Sequence, residues 1–237
     1  MRTISKGNAR YNTPLIFFLG ACVCWLSLPS VADKHADNEP LFTLDENVWA
    51  TFYDLPSRRF RSIRDAFIRR DFEAAERDLE VTIGFLSIEL GRTVASLRGP
   101  LTENIGQLES IRANVRDQTV STGDLDAAFA RAHWLLAQHY LVLAMRARDS
   151  GQHRNAGRYL WGTAHHLERA VLWSDARVDR AVIKSLDSTR DMGTRLQTSK
   201  NPQRVYRDKP IAVTAKTLIK IGEHLDRKVW VSESLKQ

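Results

Sequence analysis

The residues of this sequence best suited to chemistry are the histidines of residues 124–175, whose imidazoles can bind a transition metal or a haem iron. His133 and His139 are six residues apart. On a helix their side chains therefore point about 120° apart and cannot share one ion. His165 and His166 are adjacent and diverge in the same way. We therefore expect any metal pocket to combine His133 with residues of a second helix.

That second helix would contribute His165 or His166 together with Glu168. Two imidazoles and one carboxylate suit zinc, copper or nickel, and two facing imidazoles suit a non-covalent haem. A c-type haem is excluded, because the sequence has no Cys-x-x-Cys-His attachment motif. The alternative interpretation is that these histidines lie in the core or at a helix interface and are hydrogen-bonded within the fold.

Two other groups of residues could bind a partner, one rich in arginine and one in tryptophan. The arginines occupy one face of the helix predicted over residues 57–70 and could contact a lipid headgroup or an acidic protein. The tryptophans lie near the histidines and could form a ligand platform or a partner surface. The residues concerned are Arg58, Arg61, Arg64, Trp134, Trp161 and Trp173. The alternatives are a solvated helix face and ordinary filling of the core.

No recognised catalytic motif accompanies these residues. The chain has no glycine-rich phosphate loop, no serine in a nucleophile-elbow context and no distinctive carboxylate pair. We therefore predict a non-catalytic protein that binds another protein through a helical surface. The alternative is a helical bundle that holds a transition metal or haem with its histidines.

The first 32 residues have the pattern of a secretory signal peptide. Arg2, Lys6 and Arg10 precede an uncharged apolar run over residues 15–28, and Ser30-Val31-Ala32 is a small-x-small cleavage site. This pattern predicts export to the periplasm or secretion, with cleavage after residue 32. The alternative is an uncleaved membrane anchor.

The two cysteines, Cys22 and Cys24, both fall inside this signal. Leu19-Gly20-Ala21-Cys22 resembles the lipobox of bacterial lipoproteins, in which the cysteine is acylated. Membrane association is therefore expected only if Cys22 is lipidated or the signal is not cleaved. A cleaved chain would contain no cysteine, and so no disulfide, thiolate nucleophile or cysteine-ligated zinc.

The charge gives no indication of nucleic-acid binding. The whole chain has 35 basic and 28 acidic residues and a formal net charge of +7. The predicted signal contains three basic residues and no acidic one, so cleavage leaves 35 − 3 = 32 basic residues against 28 acidic ones, a charge of +4. This positive excess is small, and export would also separate the protein from nucleic acids. We therefore predict no nucleic-acid partner.

Two amphipathic helices within residues 124–175 must position the histidines. Apolar or small residues recur through both at steps of three and four. Thr122-Gly123-Asp124 is a helix N-cap, and Ser150-Gly151 is a short turn that makes the two helices antiparallel neighbours. Residues whose numbers sum to about 301 should then lie at the same height. This pairing places His133 opposite Glu168.

Helical spacing also continues on both sides of this hairpin, and no segment convincingly alternates with a period of two. The sequence therefore predicts an all-α protein of antiparallel helical hairpins, forming a bundle or a short array. A turn at Gly99-Pro100 should separate a helix over residues 72–97 from one over 101–117. The expected organisation is a signal peptide (1–32), a flexible segment (33–43), a helical hairpin domain (44–197), a loop (198–210) and a C-terminal helix and tail (211–237).

Two segments resemble the second half of a tetratricopeptide hairpin. They are Arg70-Asp71-Phe72-Glu73-Ala74-Ala75, followed by Leu79, and Gly151-Gln152-His153-Arg154-Asn155-Ala156, followed by Leu160. In that family a turn glycine and a small residue five positions later let paired helices approach closely, and the first segment has Arg70 in place of the glycine. The segments start 81 residues apart, which is not a multiple of the family's roughly 34-residue period. The resemblance implies helix-hairpin packing, and a true array would imply a concave surface for peptides or partner proteins.

Overall fold

The computed structural model describes residues 46–174, 180–208 and 211–234, and most of these residues are helical. In chain order the helices are α1 (Glu46–Trp49), α2 (Leu55–Ile68), α3 (Phe72–Arg92), α4 (Ala95–Asn114), α5 (Thr122–Asp149), α6 (His153–Trp173), α7 (Arg180–Thr198), α8 (Pro202–Asp208) and α9 (Ile211–Ser234). No strand occurs in these ranges, so the predicted all-α class is confirmed. The predicted signal peptide and the segment 33–43 lie outside the described residues.

Helices α5 and α6 form the predicted antiparallel hairpin and share the most extensive helix–helix interface. A capping box starts α5 at Ser121, one residue before the predicted cap. Ser121 Oγ accepts from the Asp124 amide at 3.2 Å, and Asp124 Oδ2 accepts from the Ser121 amide at 2.9 Å. At the turn, Gly151 has a φ of +71°, the left-handed conformation that lets the chain reverse.

The turn predicted at Gly99-Pro100 is wrong, because both residues lie inside α4. The chain turns earlier, at Thr93 and Val94, which have extended backbone and buried side chains. Thr93 closes the end of α3 by donating from Oγ1 to the Glu89 carbonyl oxygen at 2.7 Å. Pro100 lies in the second turn of α4, where it cannot donate a backbone hydrogen bond and its ring crowds the Ser96 carbonyl group, so it destabilises the helix without ending it.

The segment predicted as a loop over residues 198–210 contains the helix α8, which corrects that prediction. Pro202 begins α8, where its fixed φ suits the first turn and its missing amide hydrogen is not needed. Val205 is buried, and the Tyr206 hydroxyl lies 3.2 Å from His153 Nδ1. These contacts hold α8 against the start of α6.

The apolar core is formed by the inward faces of α2 to α6, with α7, α8 and α9 adding to it. Phe60 of α2 stacks on Phe129 of α5, with ring centroids 4.1 Å apart. Trp134 of α5 donates from Nε1 to the Leu218 carbonyl oxygen at 3.1 Å, which ties α9 to the hairpin. Within the ranges that the structure describes, no helix is both long enough and apolar enough to span a membrane.

Helices α6 and α7 touch backbone to backbone at Gly157 and Gly193. A Cβ atom on Gly193 would lie 2.7 Å from the Gly157 carbonyl oxygen and 2.9 Å from the Trp161 amide nitrogen. We expect Gly193→Ala to lower the free energy of unfolding by about 1–3 kcal/mol, because the two helices must separate.

The matched control for this substitution is Gly106→Ala on α4, where no atom lies within 4 Å of the added Cβ. Alanine is the better helix former, so this change should raise the stability by up to about 1 kcal/mol. Urea denaturation of both variants measures the difference. Equal effects of the two substitutions would contradict the close contact.

Candidate functional site

The α5–α6 hairpin brings His133 and His166 together in the core. Their Nδ1 atoms lie 3.0 Å apart, and both side chains are buried. Because a hydrogen bond between them needs one donor and one acceptor, one Nδ1 carries a proton and the other does not. His166 is one of the two histidines expected to join His133 in a pocket, whereas the Glu168 carboxylate, expected opposite His133, binds Arg190 instead.

Glu168 and His165 make their polar contacts with other residues, although the His165 ring packs edge-on against His166 with centroids 5.3 Å apart. The Glu168 carboxylate forms an ion pair with Arg190 of α7. His165 Nε2 lies 3.1 Å from Ser57 Oγ and 3.3 Å from Asp54 Oδ1, so this ring joins α6 to the start of α2. Among the described residues, no group of three or more His, Cys, Asp or Glu side chains is arranged to hold a metal ion.

Burial keeps these imidazoles uncharged. It lowers the pKa of His133 and of His166 well below 6.5, and neighbouring imidazoles and Arg169 lower both further. The pKa of His165 falls to about 4 through burial and the Arg169 charge, although Asp54 partly opposes this shift. Neutral imidazole is the form that binds metals.

His139 is buried, as expected of a core histidine, but it lacks the hydrogen bond that this interpretation included, since neither ring nitrogen has a partner within the described structure. Burial, followed by the charges of Arg92 and Arg146, lowers its pKa to about 3. His133 Nε2 is likewise buried without a partner among the described residues. The hairpin thus contains imidazole nitrogens whose loss of hydration is not compensated.

A second polar group in the core, centred on Glu89 of α3, was missed by the sequence analysis. The Glu89 side chain is fully buried, and Oε1 accepts from Trp49 Nε1 at 2.6 Å and from the Tyr140 hydroxyl. Arg92 Nη1 donates to Oε2 at 2.9 Å. Burial raises the pKa of Glu89, and the Arg92 charge only partly offsets this effect. All of these donors come from the protein, so the carboxylate is held in place and shielded from solvent.

The aromatic residues connect this carboxylate to the histidines. Tyr140 stacks on His166 at a centroid distance of 5.4 Å and an interplanar angle of 6°, and it packs against Tyr53 at 4.7 Å. The Arg92 guanidinium lies 4.6 Å from the centroid of the Trp49 ring. We call the set Trp49, Glu89, Arg92, His133, Tyr140 and His166 the polar core. It links α1, α3, α5 and α6.

A sequence signal for Glu89 did exist. Ala75, Leu79, Thr82 and Leu86 are buried on α3 at steps of four, three and four, and Glu89 follows at the next step of three. A carboxylate on a buried helical stripe requires partners within the fold.

The partner-binding candidates are divided between the interior and the surface. Arg64 pairs with Asp126 at 2.9 Å and lies over the Trp173 ring, so both side chains are engaged in helix packing. The Trp134 ring packs against the backbone of α9 at Gly222, where an added Cβ atom would overlap Trp134 Cζ2. Arg58 and Arg61 are exposed, and Trp161 is half-buried. The Arg58 Nε atom lies 3.5 Å from Asp54 Oδ2.

These features define the chain as an all-α helical bundle with a buried polar core and an arginine-bearing surface helix. No protein-family model matches the chain, and no curated protein or solved structure is significantly similar to it. The tetratricopeptide resemblance therefore stays a prediction.

Proposed function

We propose that this chain is an exported, non-catalytic binding protein that contacts an acidic partner protein through the exposed arginine face of α2. The observation that carries the proposal is a surface depression of about 290 Å³ lined by Arg58, Arg61, Ser62, Asp65 and Arg69. Three guanidinium groups and one carboxylate give it a net positive charge. Charge complementarity at such a surface directs and accelerates association.

The other arginines of α2 are paired within the fold. Arg59 binds Asp78 of α3 at 2.8 Å, and Arg64 binds Asp126 of α5. Among the described residues, Arg61 and Arg69 have no ion-pair partner. One set of arginines thus fixes α2 in the bundle, while the other set is available to carboxylates of another protein.

The test compares two double charge reversals with the same change in net charge. Arg61→Glu combined with Arg69→Glu alters the proposed surface, and Lys184→Glu combined with Lys216→Glu alters exposed positions on α7 and α9. Polyglutamate serves as a defined acidic probe, and partners are captured from a periplasmic extract at several salt concentrations. We expect the arginine variant to bind roughly tenfold more weakly or worse, since two ion pairs of about 1 kcal/mol each are replaced by repulsion. Equal binding by the two variants would disprove the proposed surface.

Export is the part of this proposal that depends on residues 1–32. Mass spectrometry of the protein from its native host tests it directly. A mature chain beginning at Asp33 supports cleavage and a periplasmic or secreted location. An acylated N-terminus at Cys22 would instead support the lipid-anchored alternative.

A transition-metal site is a second candidate function, favoured by the His133–His166 pair. Two nitrogens bound to one ion at about 2.0–2.1 Å lie roughly 2.8–3.0 Å apart in octahedral geometry and roughly 3.3–3.4 Å apart in tetrahedral geometry, so the observed 3.0 Å suits an octahedral ion. Haem has less support. His133 and His166 would have to move apart to hold a haem between them, because their Nδ1 atoms are only 3.0 Å apart.

Elemental analysis, an absorption spectrum and titration with Zn²⁺ and Cu²⁺ test this second function. Stoichiometric metal that is lost in His133→Ala, with the fold intact by circular dichroism, would support it. His139→Leu is the control, since it removes an imidazole outside the pair. Uptake that is unchanged in His133→Ala would rule out the site, and a Soret band would point to haem instead.

A further inference from the structure

The contact between α6 and α7 leaves two adjoining clefts on the surface of the bundle. One has a volume of about 370 Å³ and is lined by Tyr53, Arg158, Trp161, Thr194, Gln197 and Thr198. The other has a volume of about 450 Å³, lies beside the α5–α6 turn and shares Gln197 with the first. Volumes of this size are within the range of small-molecule sites. The clefts are distinct from both the α2 arginine surface and the buried polar core.

The lining of the first cleft combines one cation, one aromatic ring and several neutral hydrogen-bonding groups. The Arg158 guanidinium donates only to the neutral Asn155 Oδ1, at 3.3 Å, and has no carboxylate partner among the described residues. Neither cleft is lined by an aspartate or a glutamate, and the second also contains Arg154. An anionic group entering here would therefore meet positive charge without a competing carboxylate.

Trp161 supplies a flat, rigid wall for the same cleft. Its indole stacks on His165, with centroids 5.3 Å apart and an interplanar angle of 8°, and it is half-buried. Gln197 is oriented by donating from Nε2 to the Gly193 carbonyl oxygen at 3.2 Å. Thr194 and Thr198 of α7 also line this cleft, and their hydroxyls donate to the Arg190 and Thr194 carbonyl oxygens.

We propose that this cleft binds an acidic sugar, with the sugar ring against Trp161 and its carboxylate on Arg158. The C–H face of a pyranose is apolar and flat enough to pack on an indole. A guanidinium pairs with a carboxylate through two parallel hydrogen bonds. The Gln197 amide can donate to or accept from the ring hydroxyls, and the Thr194 and Thr198 hydroxyl oxygens can accept from them. Because Gln197 borders both clefts, a second sugar unit could extend toward Arg154.

Calorimetric titration of the folded chain with glucuronate, glucose and benzoate tests this proposal. We expect glucuronate to bind in the millimolar range or more tightly, and glucose at least tenfold more weakly because it lacks the carboxylate. Arg158→Gln should abolish the preference for glucuronate over glucose. Arg77→Gln makes the same chemical change at an exposed position on α3, outside both proposed binding surfaces, and should leave that preference intact.

Three results would overturn the proposal. They are no glucuronate binding at millimolar concentration, equal glucuronate binding by wild type and Arg158→Gln, and tighter binding of benzoate than of glucuronate. Circular dichroism of each variant ensures that a loss of binding does not reflect unfolding. Because the α2 surface is untouched by Arg158→Gln, this result is independent of the proposed protein partner.

Discussion

Glu89→Ala is expected to lower the free energy of unfolding by about 3–5 kcal/mol, the largest effect of any single substitution that we consider. The alanine would remove the carboxylate that pairs with the buried Arg92 guanidinium. It would also remove the acceptor of the Trp49 indole and the Tyr140 hydroxyl. Removing one partner of a buried ion pair is more damaging than replacing the whole pair with apolar residues.

Urea denaturation at neutral pH measures this loss. Glu89→Gln keeps the shape and one oxygen acceptor but places an amide against Arg92, so its stability should fall between those of wild type and Glu89→Ala. Glu73→Ala on the exposed face of α3 is the matched control, because Glu73 makes only a solvent-exposed pair with Arg77 at 3.5 Å. Its effect should stay within about 0.5 kcal/mol. A Glu89→Ala variant as stable as this control would contradict the structure of the polar core.

Acidification below pH 6.5 is expected to destabilise the protein steeply. The unfolded chain binds protons on its histidines near pH 6.5, whereas the folded chain resists them, because their pKa values fall to about 4 at His165 and about 3 at His139. The same direction holds for His133 and His166. Stability is therefore full above pH 6.5 and decreases as the pH falls toward 4, by about 1.4 kcal/mol per pH unit for each histidine.

Glu89 acts in the opposite sense. Its raised pKa means that the folded chain takes up this proton before the unfolded chain does, which partly compensates at the acidic end. Because one carboxyl group opposes four histidines, the stability of the protein still falls as the pH is lowered. Denaturant unfolding followed at pH 7, 6, 5 and 4 tests the prediction. A stability that does not change between pH 6.5 and 5 would contradict it.

His139→Leu isolates one histidine of this effect. At neutral pH it should stabilise the fold by about 1–3 kcal/mol, because it removes two buried nitrogens that have no partner in the described structure. It should also reduce the dependence of stability on pH by about 1.4 kcal/mol per unit below pH 6.5. An unchanged pH dependence would mean that His139 is not shielded from protons.

The parts of the fold that follow from local signals were predictable. The α5–α6 hairpin rests on helical spacing and on Ser150-Gly151, where only a residue tolerant of positive φ can reverse the chain so tightly. The turn at Thr93 and Val94 carries no such signal. Its extended backbone is stabilised by burial of both side chains, which is a property of the tertiary packing.

The site depended on details that the spacing of residues cannot supply. His133 faces His166 because of the turn geometry and the rotation of each helix about its axis, and a shift of two positions exchanges a carboxylate for an imidazole. The sequence does predict that one hairpin carries His133, His165 and His166 on its two helices. Glu89 was missed because only apolar residues were counted on the buried face of α3.

Trp49 and Tyr53, which lie just before α2, cover one side of the polar core. Trp49 covers the Glu89–Arg92 ion pair and stacks on Phe85 at 5.2 Å, and Tyr53 packs against Tyr140. A protease cut in the short stretch between α1 and α2 would detach the Trp49 indole and admit water to a carboxylate that is otherwise dry. Shortened forms of the chain made for crystallisation or labelling should therefore retain residues 46–54, even though α1 alone looks dispensable.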